Sequence, residues 1–479
     1  MSGPMYLEPG GAEQDTLAIR LAAPRRGRRS PDDPTLMIRR PAGDLTPGGR
    51  RSRTGPDEEA VSALAAELAE SVGPAVHPYE VAALLEADGL SAAVIKERYG
   101  HPDLFSLAAA LYERVPRTFP EPAAPPDPWR PDTVRCLLRG LLFALPALAY
   151  LLTAPLWRID RHAPVLIVAG VVSWAWGQGL GHRAHLRLVT GRREATRTLL
   201  TGSALGAALA TGLAAIPAGG GPATAVAAAQ SLYLAAAGIL LVLGRERMLL
   251  AALSPLIAGA AVLPWWEPGA LLRLVLPLLA LLATLAAAAR ALGAGFAVPA
   301  AADGPRPPLG QSVPYGLFGL AAAVLVMLVG RQDPYGVVAL TLSMGPAEWL
   351  LYRYRGWSVA ALRAGATPRA FLLRSSGVLA FCLCGYLLLL LPPVLLTDSD
   401  PVSLPALAAA LWTALLLQAF GVAWPPAAIC LTAAGAASAV TLSAPSPGPP
   451  PLLPAVLGVA SVCLTACAVT VLGRPSPHV

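Results

Sequence analysis

Before residue 136, apolar positions recur at helical spacing or not at all; after it, they run on unbroken for 17–25 residues at a time. The periodic part is 57–117. Asp57, Glu58 and Glu59 place acids where a helix dipole favours them, and Val61, Leu64, Ala65 and Leu68 follow on one face. A second helix is predicted over Pro78–Ala87, with Pro in its first turn and Gly89 beyond its end. Ser91 caps a third over 92–99, closed by Gly100. Asp103 caps a fourth over 104–115, with Leu104, Leu107, Ala108, Leu111 and Val115 on one face.

The unbroken runs have the length a helix needs to cross about 30 Å of hydrocarbon. They predict twelve spans, at 136–156, 163–180, 196–217, 223–243, 248–264, 270–297, 313–330, 334–352, 370–396, 402–420, 423–442 and 452–473. The fold class expected is therefore all-α: a polytopic integral membrane protein with a small helical module ahead of the spans.

Composition supports this reading. Of 479 residues, 55% are hydrophobic and only 14% charged, against about 25% charged in soluble domains. A soluble enzyme and a largely disordered chain are both excluded. Lys96 is the only lysine among 36 basic residues. With so much Ala, Gly and Pro, that bias suggests a high-GC bacterial genome, as in actinobacteria. Residues 1–56 carry ten arginines against six acids and too little apolar surface to order, which predicts a disordered tail. Residues 57–117 carry 11 acids against four bases. The 92–115 pair invites a helix-turn-helix reading, but a DNA reader needs a basic face, so no nucleic acid is expected. A cytosolic protein partner suits the module better. Residues 118–134 read as a Pro-rich spacer. No secretory signal opens the chain, so the N-terminus is expected in the cytoplasm.

Arginine distribution orients the spans. With the N-terminus inside, the inner loops hold Arg183, Arg187, Arg192 and Arg193, then Arg245 and Arg247, then Arg306, then Arg353, Arg355, Arg363 and Arg369; Arg474 is in the tail 474–479. Outer loops hold only Arg158, Arg161 and Arg331, with the interfacial pair Trp265–Trp266. Both termini are thus expected inside the plasma membrane. The inner-loop arginines Arg183, Arg187, Arg192, Arg193, Arg353, Arg355, Arg363 and Arg369 are candidate contacts for lipid headgroups.

The spans divide into two lobes of six, 135–297 and 313–473, joined by 298–312. A basic segment follows span 2 (181–197) and another follows span 8 (352–369), about half the membrane region apart. An even number of spans per half makes the repeats parallel. Two such lobes, the paired basic segments and the string Thr190-Gly191-Arg192-Arg193-Glu194-Ala195-Thr196-Arg197-Thr198-Leu199-Leu200 resemble the multidrug/oligosaccharidyl-lipid/polysaccharide flippase superfamily. The resemblance covers 136–473. It implies alternating access of a lipid-linked glycan between leaflets, through a cavity between the lobes. Two departures stand out. The module 57–117 is foreign to that fold, and the first lobe lacks the mid-span charge expected of a cationic cavity.

Charge inside a span is costly and is a functional hypothesis by default. Glu348 stands about one turn from Arg353 and Arg355; it is expected to pair with them at the inner interface, or to couple or gate transport. Gln230 and Gln418 hold corresponding places in spans 4 and 10, and Arg374 lies one turn into span 9; with Glu348 they form the candidate transport path. Trp174, Trp176 and Gln178 read as an interfacial belt, and Arg273 and Arg290 as residues near the two ends of span 6. The string Gly177-x-Gly179-x-Gly181 has no preceding strand and is not a dinucleotide loop. The six cysteines sit in apolar runs and read as buried apolar residues. No nucleophile–His–acid set, metal spacing or cofactor motif appears, so neither an enzyme nor a bound cofactor is expected. Two functions remain: a flippase-like carrier of a lipid-linked or amphipathic envelope precursor, or a non-transporting membrane scaffold that recruits a partner through 57–117, for example in cell division or envelope growth.

Overall fold

A computed structural model describes residues 57–116, 130–156, 159–218, 221–300, 307–364, 367–396, 400–443 and 452–474. The tail 1–56, most of the Pro-rich spacer, part of the inter-lobe linker and the last five residues lie outside them. Every regular element among the described residues is helical. These residues fall into two compact units, 57–116 and 130–474.

The small unit contains α1 (Glu58–Glu67), α2 (Ala69–Val72), α3 (Pro78–Ala87), α4 (Ala92–Arg98) and α5 (Leu104–Arg114). Its helices start where the sequence places a cap. Asp57 accepts from the N–H of Ala60, and Ser91 from that of Val94. Asp103 accepts from the N–H of Ser106 at 2.7 Å while the Ser106 hydroxyl bonds back to the Asp103 backbone, a reciprocal capping box. His77 caps α3 by accepting from Tyr79 N–H. Val61, Leu85, Ile95, Leu107 and Leu111 form the core.

The large unit begins with α6 (Thr133–Ala144) and α7 (Ala147–Thr153), continued by a 3-10 turn, Ala154–Leu156. Then follow α8 (Ile159–Thr190), α9 (Arg192–Ala218), α10 (Pro222–Val242), α11 (Glu246–Ala252), α12 (Ser254–Val262) and α13 (Ala270–Phe296). Beyond residue 307 come a second 3-10 turn (Leu309–Gln311), α14 (Val313–Gly330), α15 (Pro334–Leu342), α16 (Met344–Ala364), α17 (Pro368–Leu396), α18 (Ser403–Ala419), α19 (Trp424–Ser443) and α20 (Leu453–Leu472). Among the described residues, nine stretches are long and apolar enough to cross a membrane: Thr133–Leu156, His162–Thr190, Arg192–Pro217, Pro222–Val242, Ala270–Phe296, Leu309–Gly330, Pro368–Leu396, Trp424–Ser443 and Leu453–Leu472.

Three of the predicted spans look different, each for a local reason. The run 248–264 is split into α11 and α12, because Pro255 has no N–H for the Ala251 carbonyl; the Ser254 hydroxyl donates to that carbonyl instead, at 2.8 Å. The run 334–352 is split into α15 and α16, where Pro346 cannot bond Leu342. The third, α18, has only 17 residues and is buried on nearly every side, which suits a helix apolar all round.

The two basic segments are mostly helix rather than loop. The 32 residues of α8 run through Arg183 and Arg187 to Thr190, about 48 Å at 1.5 Å per residue. α16 likewise carries Arg353, Arg355 and Arg363. Neither basic segment has a proline, before Gly191 in the one or before Ala364 in the other. The cysteines divide: Cys136, Cys382 and Cys430 are buried, but Cys384 and Cys463 face outward from long apolar helices.

Candidate functional site

Two close helix crossings organise the large unit. In the first, α6 meets α15 and α16. A Cβ on Gly140 would lie 2.7 Å from the Gly345 nitrogen, and one on Gly345 would lie 2.8 Å from the Cys136 carbonyl oxygen. Only hydrogen fits at either position, so the two backbones touch. The Leu342 carbonyl, deprived of a helical partner by Pro346, lies at the same point. In the second crossing, α14 lies against α8. Gly319 seats the Gln178 stem, Gly179 and Gly316 approach each other's backbone, and the His182 ring stacks on Tyr315 with centroids 3.8 Å apart. His182 Nδ1 is 3.0 Å from the Ser312 hydroxyl.

The first crossing also assembles charge. Arg139, next to Gly140, donates to Glu348 at 2.6 Å and to Glu246 at 2.9 Å. Arg135, one turn earlier, donates to Glu246 at 2.8 Å. Both glutamates are 5% exposed. Two guanidinium groups against two carboxylates leave the cluster neutral, the condition for burying charge at all. Arg139 bonds both acids, tying α6 at once to α11 and α16.

A cavity of about 630 Å³ lies alongside. Its wall includes Phe143, Trp174, Gln178 and Gln230 from the helices before residue 300, and Phe318, Met327, Glu348, Tyr386 and Trp412 from those after 307. The lining is apolar and aromatic with a few polar groups, in the size range of small-molecule sites.

The sequence-predicted residues scatter with respect to it. Gln230 and Glu348 line the cavity; Gln418 and Arg374 do not. Gln418 is buried at the end of α18. Arg374 donates to the Ala364 carbonyl at 2.6 Å and lines a separate shallow groove with Trp357 and Phe381. The expected pairing of Glu348 with Arg353 and Arg355 is not formed. Five residues along a helix turn Arg353 about 140° away, and seven carry Arg355 about 10 Å along the axis. Arg353 lies over Trp349 and Trp357 instead, and Arg355 over Phe420. Of the headgroup candidates, Arg192, Arg193, Arg363 and Arg369 are exposed. Arg187 is 9% exposed, and Arg183 reaches the Pro307 carbonyl at 3.4 Å.

Trp174 and Gln178 line the cavity, and Trp176 donates to the Gly202 carbonyl of α9 at 2.8 Å. Arg135, Arg139 and Glu246 were not singled out from the sequence. The signal was present: Arg139 is a charge four residues into a predicted span, and such residues seek partners. Among the described residues no three His, Cys, Asp or Glu side chains converge as metal ligands. No family model, curated protein or solved structure matches the chain.

Proposed function

We propose that the chain is a flippase-like carrier of the bacterial plasma membrane, moving an amphipathic or lipid-linked envelope molecule between leaflets. In this reading the membrane part has twelve crossings in two parallel six-helix lobes, with both termini in the cytoplasm. α11–α12, α15–α16 and the shielded α18 supply the three crossings beyond the nine long apolar stretches. The helix contacts support a repeat. Span 1 packs on span 8 through Gly140 and Gly345, and span 2 packs on span 7 through Gly179 and Gly316. Exchanging the halves turns one crossing into the other, as a two-fold interface requires. The observation that carries the function is the cavity whose wall is drawn from both halves.

Such a carrier alternates by moving the halves against each other. The Arg139–Glu348 pair bridges them, and Arg139–Glu246 anchors the bridge in the first half. The pair is thus a latch that opening must break. The test is transport of a fluorescent short-chain lipid in proteoliposomes, read by dithionite quenching. The intact chain should move lipid faster than empty vesicles, and Glu348→Gln should change that rate while remaining folded. Equal rates with and without protein, across lipid and glycolipid probes, would remove the reading.

A second reading is favoured by one feature of the small unit. Tyr79 and Phe105 are 67% and 59% exposed and pack edge to face, beside Val76, on an acidic surface. That patch suits a cytosolic protein partner, making the membrane part a scaffold. Localisation and pull-down with and without 57–117 separates the two: a scaffold loses its position and its partner with the module, whereas a carrier keeps transporting.

A further inference from the structure

We propose that the cavity takes an amphiphile whose polar head is neutral and rich in hydroxyl groups, such as a single-sugar glycolipid, rather than a phosphate or diphosphate. The proposal rests on the carrier reading and narrows it. Among the described residues only two charged side chains line the cavity, Glu348 and Arg331. Glu348 is already engaged by Arg139 at 2.6 Å, so that guanidinium is committed, and the neutral cluster offers an incoming anion no net attraction. Arg331 is exposed, at the C-terminal end of α14. A phosphate carries one to two charges and asks for bidentate arginine or several N–H donors; among the described residues this wall offers one such group, the exposed Arg331 at the end of α14, and no second cation beside it.

Two amides supply something else. Gln178 is 3% exposed and lines the cavity, and its side chain has no hydrogen-bond partner among the described residues. Gln230 gives its Nε2 to the Leu166 carbonyl at 3.3 Å, which leaves its Oε1 buried and without a partner. A buried polar group left unpaired is costly, so the open valence of Gln230 marks where a ligand's own donors belong, with the Gln178 amide in the same wall. An amide offers two donors and an acceptor, the set that pairs with hydroxyl groups. Trp174 in the same wall, half-buried, provides a flat apolar face for a sugar ring or an alkyl chain.

The experiment compares two photoreactive probes of equal chain length, a diazirine-tagged octyl glucoside and a diazirine-tagged octyl phosphate. The full chain is held in phosphatidylcholine nanodiscs, and cross-linked peptides are read by mass spectrometry. The glucoside should label peptides of α8, α10 and α18 and be displaced by unlabelled glucoside, with the phosphate at least tenfold weaker. Gln178→Leu should reduce glucoside labelling about tenfold, the usual order for one lost hydrogen bond in a buried site. Glu348→Gln should narrow the preference, because it leaves two arginines against one carboxylate beside the cavity. Labelling of the same peptides by the phosphate at equal or lower concentration would overturn the neutral-head assignment and leave the carrier reading standing. Labelling of the cavity by neither probe would overturn both. The wild-type comparison decides these cases without any variant having to fold.

Discussion

In the small unit, Val61, Leu85 and Leu107 are fully buried, and acids such as Glu59, Glu67 and Glu86 face outward. In the large unit the sorting differs: leucines such as Leu390, Leu404 and Leu464 are buried, but others lie just as fully outside. Leu271, Leu388 and Leu395 are 68–74% exposed, while Glu246, Glu348 and Gln178 are 3–5% exposed. The same alphabet is being sorted by two solvents. Water drives large apolar side chains inward and leaves charge outside. Lipid is as apolar as leucine, so large side chains gain nothing by going inside. What gains by going inside there is whatever lipid cannot solvate, together with residues small enough to let backbones touch; leucines such as Leu404 and Leu464 fill the space around them. That is why the interior of the large unit contains Gly140, Gly345, Gly179 and an arginine–glutamate cluster.

The comparison can be broken most directly at Arg139. Arg139→Ala leaves Glu246 and Glu348 buried and without their shared partner, a loss of about 3–5 kcal/mol. It should appear as a large drop in melting temperature of the detergent-solubilised chain, partly recovered by adding Glu348→Gln. A melting temperature unchanged by Arg139→Ala would show that the cluster holds nothing together. Leu85→Ala should cost the small unit about 2–5 kcal/mol, seen as faster amide exchange confined to 57–116 in the full chain. At the first crossing, Gly345→Ala drives a methyl into the Cys136 carbonyl, at a cost of about 1–3 kcal/mol. Gly293→Ala, where an added methyl meets nothing, is the matched control and should leave melting unmoved. Asp103→Ala removes a cap worth about 1 kcal/mol and should raise exchange at the start of α5 alone. Smallest of all, Leu388→Ala on the outer face of α17 should shift stability by less than about 0.5 kcal/mol. A loss there as large as at Leu85 would mean that this face is packed against something other than lipid.

Legibility followed the same division. Three of the helices of the small unit begin where Pro78, Ser91 and Asp103 predict, because caps act within one turn and need no distant partner. His77 as a cap and the reciprocal role of Ser106 are not legible in the sequence, since both depend on side-chain geometry rather than on residue type. In the large unit the apolar runs marked the long helices, but not that Pro255 and Pro346 divide two of them, or that α8 continues through its arginines. For the site, Gln230 and Glu348 were found as polar residues in apolar surroundings, and both line the cavity. Gln418 and Arg374 carried the same signal and do not, because a signal of cost does not say which neighbour meets it. The Gly177-x-Gly179-x-Gly181 string is no nucleotide loop but a packing surface: Gly179 is where α14 approaches α8.

By itself the sequence determined the helical class, the change of solvent near residue 136 and the caps of the small unit. Each follows from local energetics: hydrophobic run length, helical period and hydrogen bonds spanning three or four residues. Only the tertiary structure decided that Glu348 pairs with Arg139 across 209 positions rather than with Arg353 five positions away. It also decided which amides meet in one cavity. A charge buried among apolar neighbours takes whichever partner the crossing helices present, and here Gly140 and Gly345 set that crossing.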